Sequence, residues 1–132
     1  MPEKSQSHIN KDEVTVAIIG ASDKPERYSH KAFLLLREKG YLIFPVHPTL
    51  AEIAGVKVYN NLADLPPGID TVTVYVSPQI SGSLGEELRR LKPRRIIFNP
   101  GAENPALYDQ LRAAGIEVIE ACTLVLLNTG RF

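Results

Sequence analysis

Short runs of β-branched and other apolar residues recur along the chain, separated by longer segments of mixed polarity. Each run is short enough to be a strand buried on both faces, and several are bounded by glycine, proline or serine. The strands predicted in this way cover residues 14–20, 41–46, 71–76, 95–98 and 116–119. Most of the intervening segments are long enough for a crossover helix, so the pattern favours parallel pairing.

The segments between the strands carry helix boundary signals. Ser29 is predicted to cap the first helix and Gly40 to end it. Ser77 and Asn104, each followed by proline, predict the starts of two further helices, and Gly115 ends the last of these. Strands that alternate with helices fold into parallel sheets with right-handed crossovers. The sequence therefore predicts one α/β domain, a Rossmann-like doubly wound parallel sheet in a three-layer α/β/α arrangement.

Apolar residues at helical spacing run through the second predicted helix, at Ile80, Leu84, Leu88 and Leu91. Gly82 and Gly85 interrupt this stripe, and each weakens a helix by about 1 kcal/mol relative to alanine. We therefore expect them to mark a close approach to a neighbouring element. The last apolar segment, residues 123–127, is compatible with either a strand or a helix.

Length and composition fit a single globular domain over residues 13–132, preceded by a polar tail at residues 1–12. The 15 basic residues balance the 15 acidic ones, which argues against nucleic acid and against an anionic membrane surface as partners. No apolar run approaches the roughly 20 residues that span a bilayer. Cys122 is the only cysteine, so no internal disulfide can form, and we predict a cytoplasmic location.

Doubly wound sheets bind ligands outside the carboxyl ends of their strands, where the strand order reverses. With the first strand predicted to be central, the loops at this edge are residues 20–24, 46–48, 76–78 and 99–101. Cys122 follows the last strand and lies at the same edge. Its thiol either packs as a small apolar group or faces the end of a bound ligand.

The loop after the first strand has the features of an anion site. Gly20 allows a sharp turn, and Ala21 and Ser22 are small enough for backbone amides to approach a phosphate. The following helix offers its positive N-terminus, and Lys24 and Arg27 add cations. The alternative is an ordinary strand-to-helix loop with solvated charges.

A dinucleotide site with the G-x-G-x-x-G signature is disfavoured by the same loop. Ser22 and Pro25 stand where further small residues are expected, and the second strand ends at residues 45–48 without the carboxylate that binds the ribose of NAD. His47 stands there instead. It either shapes the loop or faces a phosphorylated ribose, as found in NADP and coenzyme A. No HExxH, GxSxG, P-loop or CxxC motif is present, so we predict no metal site and no catalytic residue.

Several segments together resemble the small stand-alone CoA-binding domain proteins, relatives of the CoA-binding domain of the succinyl-CoA synthetase α subunit. These segments are residues 17–27, 40–48, 75–78, 99–101 and 121–122. The resemblance implies a Rossmann-like fold that binds coenzyme A, with no established reaction for the stand-alone members. Many members have asparagine where this chain has His47.

The resemblance also implies which loop holds which part of the coenzyme. The residues implied for the phosphates are Gly20, Ala21, Ser22 and Arg27, beside the cation that the loop itself offers at Lys24. Those implied for the adenosine and its ribose are Pro45, Val46, His47, Val76 and Ser77. Those implied for the pantetheine path are Asn99, Pro100 and Gly101.

The sequence thus predicts a non-catalytic carrier or regulatory protein, monomeric or homodimeric, that binds coenzyme A or acyl-CoA. Two alternatives stay open. One is an NAD(P)-binding enzyme or regulator, and the other is a protein-interaction module with a vestigial pocket.

Overall fold

The computed structural model describes residues 14–132, and the predicted polar tail at residues 1–12 lies outside them. The strands are β1 (Thr15–Ile19), β2 (Leu42–Val46), β3 (Glu52–Ile53), β4 (Val56–Lys57), β5 (Thr71–Val74), β6 (Arg95–Phe98) and β7 (Glu117–Glu120). The helices are α1 (Tyr28–Glu38), α2 (Pro78–Gly82), α3 (Gly85–Leu91), α4 (Pro105–Ala113) and α5 (Thr123–Asn128), and a 3-10 helix spans Leu62–Asp64.

Five parallel strands form the main sheet, in the order β2-β1-β5-β6-β7. Strand β1 is flanked by β2 and β5, so the strand order reverses beside it, which confirms the doubly wound α/β fold. Ile19 lies opposite Val46 on one side and Val74 on the other. The three strands therefore end at the same level of the sheet, and the loops that follow them begin side by side.

The side chains of β1 alternate between two apolar clusters, one on each face of the sheet. Val16 and Ile18 pack in the cluster that contains residues of α1 and α5. Ala17 and Ile19 pack in the cluster that contains residues of α3 and α4. All four are buried, and the two clusters give the predicted three-layer arrangement.

Helix α1 starts two residues earlier than predicted and without a side-chain cap. Arg27 occupies the N-cap position in an extended conformation, and its carbonyl accepts hydrogen bonds from the N–H groups of His30 and Lys31. Ser29 lies buried in the first turn, so the prediction that it caps the helix is wrong. Gly40 ends the helix as predicted, with φ +91° and the following Tyr41 N–H bonded to Leu36 O.

The second predicted helix is two helices, α2 and α3. Ser77 caps α2 as predicted, because its Oγ accepts the N–H of Ile80 at 3.4 Å. Ser83 ends α2 by donating its hydroxyl to Ile80 O at 2.7 Å. The apolar stripe is therefore broken, and Ile80 is 53% exposed whereas Leu88 is fully buried.

Gly85 marks a close approach, and Gly82 does not. A Cβ on Gly85 would lie 2.6 Å from Gln110 Nε2 and 3.0 Å from Leu107 Cδ2, both on α4, whereas a Cβ on Gly82 would meet Asn104 Nδ2 at an ordinary 3.7 Å.

The two glycines are therefore expected to respond to alanine with opposite signs. Gly85→Ala should lower the free energy of unfolding by about 1 kcal/mol through overpacking, because the buried Leu107 must shift although the exposed end of Gln110 can turn away. Gly82→Ala should raise it by about 0.4–1 kcal/mol by restricting the unfolded chain. Urea unfolding midpoints measure both changes, and equal shifts of the same sign would contradict the assigned contact between α3 and α4.

Asn104 precedes α4 as predicted but does not cap it. Its Nδ2 donates to Pro78 O at 3.0 Å and to Ser81 Oγ at 2.9 Å, so the side chain is directed to α2 instead. The expectation of a side-chain cap is wrong because these partners on another element use the amide.

Two segments complete the fold. Strands β3 and β4 form a short antiparallel hairpin whose turn residues, Ala54 and Gly55, both have positive φ. The undecided apolar segment at residues 123–127 belongs to helix α5. Within residues 14–132, no helix has the length and apolar character needed to cross a membrane.

Candidate functional site

A cavity of about 610 Å³ opens at the carboxyl ends of β1, β2 and β5. The predicted site residues that line it are Gly20, Ala21, Ser22, Lys24, Arg27, His47, Val76 and Pro100. Because the three strands end in register, loops that are distant in the sequence contribute to one wall.

A second, narrower cavity of about 190 Å³ adjoins the first. Four residues line both cavities and form the boundary between them: Gly20, His47, Pro48 and Val76. The walls that belong only to the narrow cavity are largely apolar and include Val46 and Ile80. The carboxyl edge therefore offers a wide polar space next to a narrow apolar one.

Five predicted site residues line neither cavity: Pro45, Ser77, Asn99, Gly101 and Cys122. Pro45 is buried in β2, and its carbonyl accepts the N–H of Tyr59. Ser77 caps α2, and the exposed Gly101 donates its N–H to Glu103 Oε1 at 2.9 Å. Cys122 is partly buried at the start of α5. Their roles toward a ligand stay predictions.

Asn99 is 3% exposed, and its side-chain amide makes three hydrogen bonds inside the protein. Its Nδ2 donates to Thr73 Oγ1 at 2.7 Å and to Val74 O at 2.9 Å, and its Oδ1 accepts the N–H of Thr123 at 2.8 Å. Asn99 therefore joins the end of β5 to the start of α5. After these three hydrogen bonds, one lone pair on Oδ1 is the only part of the amide that can still make a hydrogen bond.

Gly20 is required by the geometry of the turn. Its φ is +89°, and a Cβ there would lie 2.9 Å from Val76 Cγ1. The N–H groups of Gly20 and Ala21 both donate to Val46 O at 3.1 Å. These two amides therefore hold the loop to the end of β2, and the roles of Gly20 and Ala21 toward a phosphate stay predictions.

The N–H groups that remain available lie further along the loop. Those of Ser22 and Asp23 donate to no residue that the structure describes. Ser22 Oγ accepts the N–H of Lys24 at 3.0 Å, which fixes the turn, and Ser22 O accepts a hydrogen bond from Nδ1 of His30 at 2.8 Å. These hydrogen bonds hold the loop in place, and the N–H groups of Ser22 and Asp23 remain available as donors.

The N-terminus of α1 opens into the wide cavity. Arg27, Tyr28 and Ser29 all line this cavity, and no acidic residue occupies the first helical turn. The first N–H groups of a helix have no partner within the helix and carry a partial positive charge. With Lys24 beside them and Asp23 as the opposing charge, this end of the cavity is suited to an anion.

Several lining residues were not assigned to the site from the sequence, among them Asp23, Tyr75 and Glu87. Asp23 lies in the predicted loop but was not assigned to the site, and Glu87 reaches the narrow cavity from α3. Tyr75 contributes its ring to the wide cavity, and its hydroxyl is buried without a hydrogen-bond partner among residues 14–132. Burial raises the pKa of Tyr75 to about 12, so the phenol is neutral at physiological pH.

Within residues 14–132, no group of three or more His, Cys, Asp or Glu side chains is placed to hold a metal ion. The two cavities instead combine hydrogen-bond donors, cations and apolar surface with one carboxylate each, from Asp23 and Glu87. Such a site can bind and orient an anionic ligand that also carries an apolar part.

Comparison with known proteins gives the family. The family model described as CoA binding domain matches residues 14–128. The protein YneT of Bacillus subtilis is 32% identical over 104 residues, which are 79% of this chain and 77% of YneT. The alpha subunit of the ADP-forming acetate–CoA ligase II of Pyrococcus furiosus is 32% identical over 62 residues, which are 46% of this chain and 14% of that subunit.

A solved structure has the same fold. The protein cell-free ID.343 of Thermus thermophilus is 29% identical and superposes with a TM-score of 0.83 over 90% of each chain. The family match and the sequence relatives confirm the resemblance found in the sequence, and the chain belongs to the CoA-binding domain family.

Proposed function

We propose that this protein binds coenzyme A or an acyl-CoA across the two cavities and acts as a non-catalytic carrier or regulatory protein. The proposal rests on two adjacent cavities. The wide one is lined by cationic side chains and by the N-terminus of α1, and the narrow one is largely apolar. Coenzyme A has the matching chemistry, because it joins a diphosphate and a 3′-phosphate to an apolar adenine.

The phosphates fit the wide cavity. Lys24 and Arg27 supply two cationic side chains there, and the N–H groups of Ser22 and Asp23 are open donors. Phosphates bound by such groups gain charge-assisted hydrogen bonds. The adenine fits the narrow cavity, where Val46, Ile80 and Leu84 offer apolar contact.

A second candidate is an NAD(P)-binding protein, and Glu87 is the observation that favours it. Its carboxylate lines the narrow cavity, where it can accept hydrogen bonds from ribose hydroxyls. Glu87 lies on α3 and not at the end of β2, where His47 stands. The two candidates therefore differ in the sugar that they bind.

Calorimetric titration of the protein with coenzyme A, dephospho-coenzyme A, NAD⁺ and NADP⁺ separates them. Coenzyme A is expected to bind more tightly than dephospho-coenzyme A, because the site supplies cations to the 3′-phosphate. Tighter binding of NAD⁺ or NADP⁺ would favour the second candidate. If none of the four compounds binds, both candidate functions are refuted, and the remaining interpretation is a protein-interaction module.

Arg27→Ala is expected to weaken coenzyme A binding by about 1–3 kcal/mol, through loss of a charged hydrogen bond to phosphate. Arg89→Ala is the matched control, because Arg89 is exposed on α3 and lines neither cavity. The same titration measures both variants. Equal affinity of the wild type and Arg27→Ala would remove Arg27 from the site.

A further inference from the structure

The narrow cavity adjoins a different space at each of its ends. At one end, the boundary residues named above separate it from the wide cavity. At the other end, Leu62 and Glu87 are shared with a third cavity, of about 390 Å³, beside α3. A ligand with its phosphates in the wide cavity therefore enters the narrow one at the boundary and directs its far atoms towards Leu62 and Glu87.

The far part of such a ligand is the amine of its base. In coenzyme A the ribose is attached to the five-membered ring of adenine, and the exocyclic amine is attached to the six-membered ring. With the ribose at the boundary, the amine lies towards the end formed by Leu62 and Glu87. This amine has two N–H donors, so it needs hydrogen-bond acceptors at that end of the cavity.

Glu87 supplies one acceptor. Its half-buried carboxylate has no hydrogen bond or ion pair within residues 14–132, whereas the carboxylate of its neighbour Glu86 pairs with Arg90 Nη2 at 2.8 Å. An ionised carboxylate can only accept hydrogen bonds. Glu87 therefore places an acceptor with open capacity in a cavity whose walls are otherwise largely apolar.

Asn60 supplies a second acceptor on the wall of the same cavity. Its Nδ2 donates both hydrogens to the neighbouring loop, to His47 O at 2.7 Å and to Leu50 O at 3.0 Å. Carbonyl oxygens can only accept, so these two bonds fix which way the amide is turned. The Oδ1 atom is directed away from the two carbonyls, and no donor among residues 14–132 binds it.

The other polar side chains of the narrow cavity belong to Asn61 and His47. Nδ2 of Asn61 donates to Asp64 Oδ2 at 3.3 Å, so its open atom is again an acceptor. Nδ1 of His47 accepts the N–H groups of Thr49 and Leu50 at 3.1 Å each and lies 3.5 Å from Thr49 Oγ1. Nε2 of His47 therefore carries a proton, and at the boundary it can serve a ring nitrogen of any purine.

We propose that Asn60 and Glu87 are specificity-determining residues that select adenine through its exocyclic amine. Each accepts one N–H of the amine, and both face the end of the base that is farthest from the ribose. A base with an oxo group at this position, such as hypoxanthine, instead brings an acceptor against two acceptors. This inference rests on the proposed function, because it requires the phosphates to occupy the wide cavity.

Calorimetric titration with coenzyme A and with its hypoxanthine analogue, in which an oxo group replaces the amine, tests the selection. The wild type is expected to bind coenzyme A about ten- to a hundredfold more tightly than the analogue. The reason is that the analogue loses the hydrogen bonds of the amine and leaves two acceptors without donors.

Glu87→Gln separates recognition of the base from a structural role. The glutamine amide keeps an acceptor and adds a donor, which can bind the oxo group of the analogue. The ratio of the two dissociation constants is expected to fall about tenfold, and the variant should bind the analogue more tightly than the wild type does. Loss of a purely structural carboxylate would weaken both ligands alike.

Glu86→Gln is the matched control. Glu86 and Glu87 both lie in the first turn of α3, but Glu86 is exposed and lines neither the wide nor the narrow cavity. Its replacement removes the same charge from the same helical turn, and it is expected to keep the wild-type ratio.

Asn60→Ala tests the second acceptor. The variant also releases the two carbonyls of the neighbouring loop, so both ligands should bind more weakly. Coenzyme A is expected to lose more affinity than the analogue, because only coenzyme A has a donor for Oδ1.

Equal affinity of the wild type for the two compounds would overturn the inference and leave the proposed function in place. An unchanged ratio in Glu87→Gln would do the same. If neither compound binds to the wild type, the proposed function is refuted, and the inference fails with it.

Discussion

Replacement of Gly20 by alanine is expected to lower the free energy of unfolding by about 2–5 kcal/mol, since backbone strain and overpacking add. The φ of +89° at this position is costly for any residue with a Cβ. The Cβ would also lie 2.9 Å from Val76 Cγ1 and 3.2 Å from the carbonyl carbon of Tyr75. The backbone atom cannot move without displacing the end of β5.

Gly68 provides a matched control for this variant. Its φ is also +89°, but a Cβ there would have no atom within 4 Å. Gly68→Ala should therefore cost only the backbone strain, about 1–2 kcal/mol. Urea unfolding of both variants separates strain from contact. A Gly20→Ala variant no less stable than Gly68→Ala would show that the loop after β5 does not press on Gly20.

Asn99→Ala is expected to lower the free energy of unfolding by about 2–4 kcal/mol, because it leaves buried polar groups without partners. The variant removes all three side-chain hydrogen bonds of Asn99, including the acceptor for the N–H of Thr123. Thr123 is fully buried, so water cannot easily replace that acceptor. The start of α5 should then separate from the end of β5.

Asn61→Ala is the control for Asn99→Ala. Asn61 is exposed, and its side chain makes one hydrogen bond, of 3.3 Å to Asp64 Oδ2, so its loss should change stability by about 0.5 kcal/mol or less. Thermal unfolding followed by circular dichroism compares the two. Coenzyme A affinity of Asn99→Ala, measured where the variant is still folded, also tests the predicted pantetheine role of this residue. A loss of affinity with unchanged stability would assign Asn99 to the ligand instead of the core.

The fold could be predicted from the sequence because its strands are short apolar runs and two helix ends are fixed by glycine. Gly40 and Gly115 both adopt the positive φ that ends a helix, and this requirement is local. Ser29 and Asn104 were misassigned as caps because capping depends on competing partners. The amide of Asn104 bonds to Pro78 O and Ser81 Oγ, which belong to another element and leave no local signal.

The position of the site could also be predicted, since parallel strands place their carboxyl ends together. The hydrogen bonding within it could not. Whether the amides of Gly20 and Ala21 are open depends on the position of Val46 O, which is set by the register of β2. Glu87 lines the narrow cavity from α3, which begins after the break in the second predicted helix.

The boundary between the two cavities, formed by Gly20, His47, Pro48 and Val76, has a consequence for fragments of a ligand. A compound short enough to fill one cavity gains only the contacts of that side. A compound that spans the boundary gains both sets of contacts while losing its translational freedom once, so its binding free energy should exceed the sum for its separate halves. Adenosine and pantetheine diphosphate added together should therefore bind far more weakly than the single molecule in which they are joined.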